Sequence, residues 1–110
     1  MNIKFSYLYC DGGNYKQYNA IVFANPNEVS LQNIQSAIAE SLLDGNWFVA
    51  EEWNVPDLHF KQYEWGDQAD HEWHEFTSVE ETSNPPTEDQ SIEDLMETIK
   101  YRRPDNNFFL

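Results

Sequence analysis

Residues 3–9 read IKFSYLY, residues 11–14 read DGGN, and residues 18–24 read YNAIVFA. Side chains in the first run alternate with a period of two and are rich in aromatic residues, which predicts a β-strand. DGGN contains residues that accept a positive φ, which is typical of a hairpin turn. The second run is apolar on both faces from Ala20 to Ala24, which predicts a central strand covered on each side. The stretch therefore predicts an N-terminal β-hairpin.

Two helices are predicted farther along the chain. Ser30 is a good N-cap, and Gly45 is the residue expected to end the first helix in the left-handed conformation. One face of this amphipathic helix, residues 30–43, is apolar: Leu31, Ile34, Ala37, Ile38 and Leu42. After a linker at residues 82–87, Asp89 or Ser91 is expected to cap a short second helix. Its apolar stripe consists of Ile92, Leu95, Met96 and Ile99.

Two further extended segments are predicted between the helices. The first covers residues 47–53, and residues 55–57 interrupt it. The second covers residues 71–79, with His74 and Phe76 on one side and Trp73 and Val79 on the other. The chain is thus predicted to be α+β: an N-terminal hairpin, one amphipathic helix, further short strands in an antiparallel sheet, and a short C-terminal helix. One acidic domain is expected over residues 1–100, followed by a tail at 101–110.

Composition places the chain among folded proteins. The 110 residues suit one domain, and the 15% aromatic content exceeds what disordered acidic segments contain. Cys10 is the only cysteine, so the chain can form neither an internal disulfide nor a thiolate metal cluster by itself. The first residues lack the apolar run of a signal peptide, and no run is long enough to span a membrane. We therefore expect a cytoplasmic protein that does not enter the membrane.

Charge is distributed unevenly along the chain. Residues 44–97 contain sixteen of the twenty acidic residues and a single base, Lys61, giving this stretch a net charge of −15. Such a field repels nucleic acids and anionic membranes and favours a cationic partner. The same stretch contains all four tryptophans, so it is not a solvated acidic tail. We expect no direct binding of nucleic acid, since phosphate contacts need clustered Lys and Arg.

Several segments resemble a family of small acidic bacterial proteins of uncharacterised function. The segments that carry the similarity are residues 4–9, 11–16, 44–45, 50–53, 55–60 and 71–76. The similarity extends over residues 3–98, and the basic and apolar tail beyond it is peculiar to this chain. The resemblance implies a bacterial, stand-alone domain. No activity is attached to the family, so it implies no mechanism.

The histidines are the candidates for a metal site. His59, His71 and His74, together with Asp57 or Asp70, have the ligand types of a zinc or manganese centre, which needs three or four converging groups. The specific HExxH spacing is missing, and in a strand His71 and His74 face opposite sides. The alternative is that they are polar partners within an aromatic patch. Neither a catalytic pair of carboxylates nor a phosphate-binding loop is indicated, and no cofactor is expected.

The acidic and aromatic stretch is the candidate binding surface. Its proposed contact residues are Glu51, Glu52, Trp53, Asp57, Glu64, Trp65, Asp67 and Trp73. Aromatic side chains anchor interfaces and carboxylates steer a basic partner, whereas the alternative assigns the tryptophans to the core. The leading hypothesis is a non-enzymatic module that docks on a basic protein, as an inhibitor, immunity-type or DNA-mimic protein. The rivals are a metal-dependent enzyme and a structural subunit that associates through residues 108–110.

Overall fold

The computed structural model describes residues 1–10, 16–58 and 73–100, which form an α+β fold. Its elements are β1 (Asn2–Cys10), β2 (Lys16–Phe23), α1 (Leu31–Ser41), β3 (Trp47–Val49), β4 (Trp73–Thr82) and α2 (Ile92–Lys100). The strands form one antiparallel sheet in the order β2-β1-β4-β3. This confirms the predicted fold class. Within the described ranges, neither helix is long and apolar enough to cross a membrane.

Strand β1 is paired on both sides, and its side chains alternate between the two faces of the sheet. Ile3, Phe5, Tyr7 and Tyr9 are fully buried. The apolar residues of α1 and α2 belong to the same core cluster, so both helices pack against this side, which we call the core face. The residues that alternate with them in β1 define the outer face: Lys4, Ser6, Leu8 and Cys10.

Strand β2 lies at the edge of the four described strands, so the prediction of a central strand was wrong. Ala20 is exposed, and the side chain of Tyr18 is 66% exposed. The buried end of β2 is bonded to the segment that precedes α2: the N–H of Val22 donates to Oγ1 of Thr87 (2.8 Å), and the N–H of Thr87 donates to the carbonyl of Val22 (2.9 Å). These bonds occupy the edge groups that a neighbouring strand would otherwise pair.

A β-bulge changes the faces of β4. Ser6 pairs with Ser78, but Tyr7 pairs with Phe76, so Thr77 is the extra residue in the ladder between β1 and β4. As a result Phe76 and Val79 both pack on the core face, although strict alternation predicted that they lie on opposite sides. Trp73, on β4 beyond the bulge, is directed to the outer face.

The two helices begin where the sequence predicts. The N–H of Asn33 donates to Oγ of Ser30 (3.1 Å), which caps α1. In α2, Ser91 and Asp94 form a reciprocal capping box, with bonds of 3.0 and 3.1 Å. The predicted end of α1 was wrong. The helix stops at Ser41 with an extended C-cap, and Gly45, at φ 75°, belongs to a separate turn that follows.

Phe5 is the residue whose truncation should destabilise the fold most clearly. Its ring lies 5.4–6.1 Å from the rings of Tyr7, Phe23, Phe48, Trp53 and Phe76. We expect Phe5→Ala to lower the free energy of unfolding by about 3–5 kcal/mol in urea denaturation, because it removes contacts and leaves a cavity. Phe5→Leu should cost less. Tyr18→Ala, at an exposed position, is the control, and an equal loss in the control would contradict this role of Phe5.

Candidate functional site

The segment between β3 and Leu58 is a tight acidic turn. We call residues 50–58 the acidic loop. The predicted strand over residues 47–53 is correct only to Val49, because the chain then turns: the N–H of Trp53 donates to the carbonyl of Val49 (3.2 Å), and the N–H of Val55 donates to the carbonyl of Ala50 (3.1 Å).

Buried and exposed residues intermix along the acidic loop. Its buried residues are Ala50, Trp53, Val55 and Leu58, and its exposed residues are Glu51, Glu52, Asn54, Pro56 and Asp57. The side chain of Trp53 is 1% exposed and stacks on Phe48 at a centroid distance of 4.4 Å. Trp53 therefore fixes the loop to the core, which favours the alternative that assigns this tryptophan to the core over a direct contact with a partner.

Hydrogen bonds from distant elements hold the backbone of the acidic loop. The hydroxyl of Tyr7 donates to the carbonyl of Pro56 (2.6 Å), and Nε2 of Gln90 donates to the carbonyl of Asn54 (3.0 Å). Glu51, Asn54, Val55 and Asp57 line a surface recess of about 550 Å³. The carboxylates of this recess are thus presented by a fixed backbone.

Tyr7 is a buried phenol beneath this loop. Burial raises its pKa from 10.0 to about 12; a hydrogen bond from Nδ2 of Asn19 (3.2 Å) opposes the rise, and the charges of Glu88 and Asp57 add to it. The phenol is therefore neutral at physiological pH. In that form it donates the hydrogen bond that holds Pro56.

His74 holds the end of the acidic loop from β4. Its ring is 1% exposed and lies against the rings of Tyr9 (5.0 Å) and Phe48 (5.8 Å). The N–H of Leu58 donates to Nε2 (3.0 Å), and Oδ1 of Asp57 lies 3.4 Å from the same nitrogen. Because a nitrogen that accepts from Leu58 carries no hydrogen, Nε2 can bond Leu58 or donate to Asp57, but not both at once.

The predicted metal site is not formed by the described residues. His59, His71 and Asp70 lie outside them, and no group of three His, Cys, Asp or Glu side chains within residues 1–10, 16–58 and 73–100 is placed to hold a metal ion. The lone pair on Nε2 of His74 is occupied by the N–H of Leu58.

An aromatic cleft lies at the start of β3. Leu43, Asp44, Trp47 and Trp73 line a space of about 300 Å³, which we call the aromatic cleft. Trp47 pairs with Glu75, and Trp73 pairs with Val49, so the two indoles are diagonal neighbours on the outer face. Both are half-buried, whereas Asp44 is exposed.

A short turn fixes the carboxylate side of the aromatic cleft. Leu43 and Trp47 exchange backbone hydrogen bonds of 2.8 and 3.0 Å. Between them, Asp44 (φ 54°) and Gly45 (φ 75°) adopt left-handed backbone conformations. Gly45 suits this position because it has no Cβ. The turn therefore holds Asp44 beside the tryptophans.

The structure brings together only part of the predicted binding surface. Glu51, Glu52 and Asp57 share the acidic loop, while Trp73 lines the aromatic cleft. Glu64, Trp65 and Asp67 lie outside the described residues. Asp44 was not among the predicted site residues, because Gly45 beside it was expected to end the first helix. The signal that was available is the Asp-Gly pair two residues before a tryptophan.

Comparisons of the chain with models of protein families, with curated proteins and with solved structures give no match.

Removing the acceptor at His74 should loosen the acidic loop. We expect His74→Phe to keep an aromatic ring in place but to leave the N–H of Leu58 without its acceptor, lowering the free energy of unfolding by about 1–3 kcal/mol. Amide hydrogen exchange at Leu58 should accelerate. Glu75→Gln, the next residue on the opposite face, is the control. Unchanged exchange at Leu58 in His74→Phe would show that the bond does not hold the loop.

Tyr7 should make stability sensitive to alkaline pH. Because the pKa of Tyr7 in the folded chain, about 12, exceeds its ordinary value of 10.0, its contribution to stability is complete below pH 10 and is lost as the pH rises through 12. At pH 8, Tyr7→Phe should be less stable by about 1–2 kcal/mol, since Pro56 loses its donor. That difference should shrink as the pH rises from 10 towards 12, because the unfolded chain loses the Tyr7 proton at a lower pH than the folded chain does.

Urea unfolding of wild type and Tyr7→Phe from pH 8 to 11.5 measures this effect. Tyr18→Phe controls for the removal of one exposed hydroxyl. A difference between wild type and Tyr7→Phe that stays constant across the range is the result that rules out the proposed linkage.

Proposed function

We propose that this protein is a non-enzymatic, cytoplasmic interaction module that docks its acidic surface on a basic protein, as an inhibitor, immunity-type or DNA-mimic protein. The observation that carries the proposal is the charge of −14, concentrated in the stretch that includes the acidic loop. A surface of this sign accelerates encounter with a cationic partner and disfavours direct contact with nucleic acid.

Two adjacent carboxylates of the acidic loop are not paired with a cation in the described part of the chain. Glu51 and Glu52 form no ion pair with any residue in the described ranges, and both are exposed. Lys4, by contrast, lies 3.7 Å from Glu80 on the outer face. Two adjacent, exposed carboxylates of this kind attract a cationic group on a partner protein.

The rigidity of the acidic loop supports a role in binding. Trp53 is buried beneath it, and Tyr7, Gln90 and His74 hold its backbone. A loop that is ordered before binding loses less conformational entropy when a partner arrives. This arrangement suits recognition of a partner.

Capture from the lysate of the source organism tests the proposal. The immobilised full chain is washed at about 50 mM and about 500 mM salt, which correspond to weak and strong screening, and the captured proteins are identified. We expect a basic protein that is held at low salt and released at high salt. For the DNA-mimic version, the captured protein should bind nucleic acid, and the module should compete for that site.

Charge reversal locates the binding surface. We expect the double variant Glu51→Lys and Glu52→Lys to slow association with the captured protein by about tenfold, because steering depends on charges near the interface. The control is Glu81→Lys with Glu97→Lys, two exposed positions outside the loop with the same change in net charge. Association that is insensitive to salt, or equally slow in both double variants, would overturn the proposal.

A further inference from the structure

We propose that the aromatic cleft binds the guanidinium group of an arginine side chain on the basic partner. This inference rests on the proposed function and names the group that the partner inserts. It is carried by the geometry of the cleft, which combines two indoles and one carboxylate around a space of about 300 Å³. That volume is at the lower limit of small-molecule sites, about 300–1,000 Å³, and suits a single long side chain.

The indoles supply attraction for a cation. Trp47 and Trp73 belong to neighbouring strands, and their positions are fixed by the pairing of β3 with β4. The face of an indole attracts a cation more strongly than the faces of the other aromatic side chains. Two tryptophans along one cleft therefore form a surface on which a cationic group binds without losing all contact with solvent.

The carboxylate of Asp44 selects arginine. Guanidinium is planar, is weakly hydrated and stacks on aromatic rings, and its N–H groups match the two oxygens of a carboxylate. A lysine ammonium is more strongly hydrated and cannot stack in this way. Asp44 lies at the cleft on a turn that the Leu43 and Trp47 hydrogen bonds close, so the backbone that carries this carboxylate is fixed before a ligand arrives.

None of the lysines in the described ranges supplies the cation that the aromatic cleft would bind. Of the lysines in the described ranges, Lys4 lies near Glu80, and neither Lys16 nor Lys100 is among the residues that line the aromatic cleft. Complementary charge must therefore come from outside these residues. A basic partner, as proposed above, supplies it.

A titration followed by NMR tests the inference. The full chain, labelled with ¹⁵N, is titrated with N-acetyl-arginine methylamide at constant ionic strength, and the indole N–H signals are recorded. We expect saturable shifts at Trp47 and Trp73, and no shift at the buried Trp53. N-acetyl-citrulline methylamide has nearly the same shape without the charge, and it should produce no saturable shift. The lysine analogue should bind more weakly than the arginine analogue.

Three single substitutions distinguish binding in the aromatic cleft from the general attraction of an acidic surface for a cation. Asp44→Asn should weaken binding of the arginine analogue by about fivefold, through loss of a charge-assisted hydrogen bond. Glu80→Gln removes one carboxylate from the same face and should leave binding unchanged. Trp47→Leu should abolish the shift at Trp73.

Three results overturn the inference: no saturable shift at Trp47 and Trp73, an equal response to citrulline, or equal weakening by Asp44→Asn and Glu80→Gln. Each of these results can be distinguished from a failure of the proposed function. If a basic protein is captured but the arginine analogue does not bind, the proposed function is supported and the role of the aromatic cleft is rejected. If the arginine analogue binds but no basic protein is captured, the cleft binds guanidinium and the proposed function is rejected.

Discussion

The burial of the Phe5 ring is the interaction on which the other elements depend. The ring of Phe5 contacts Phe23 of β2, Phe48 of β3, Phe76 of β4 and Trp53 of the acidic loop. One side chain therefore joins the sheet to the candidate site. Phe5 occupies this position because β1 is paired on both sides and faces both helices. The acidic loop is thus fixed by the same packing that forms the fold.

This packing explains how a chain with a charge of −14 keeps a fixed acidic surface. Neighbouring carboxylates repel one another and favour an expanded chain. In the acidic loop, the exposed Glu51 and Glu52 are followed directly by Trp53, whose burial opposes that repulsion. A cationic partner that binds the folded loop would add stability through mass action, because the unfolded chain presents no such surface.

Local patterns predicted the α+β class, the hairpin strands and the start of each helix, because alternation, helical periodicity and capping are written in neighbouring residues. They did not predict the edge position of β2, since an apolar run does not reveal which element covers it. Nor did they separate Trp53 from Trp73, because tryptophan occurs both in cores and at interfaces. These distinctions depend on pairing between distant segments.

The bulge at Thr77 adds one residue to β4, and this shift decides which side chains of β4 face the core and which face the aromatic cleft. Without the extra residue, Tyr7 would pair with Thr77, so Trp73 would face the core and His74 would face outward. With the bulge, His74 lies in the core and accepts the N–H of Leu58, while its neighbour Trp73 lines the aromatic cleft. The fixed acidic loop and the cleft are therefore two consequences of one irregularity in β4. A strand with perfect alternation would have neither the acceptor for Leu58 nor the second indole beside Asp44.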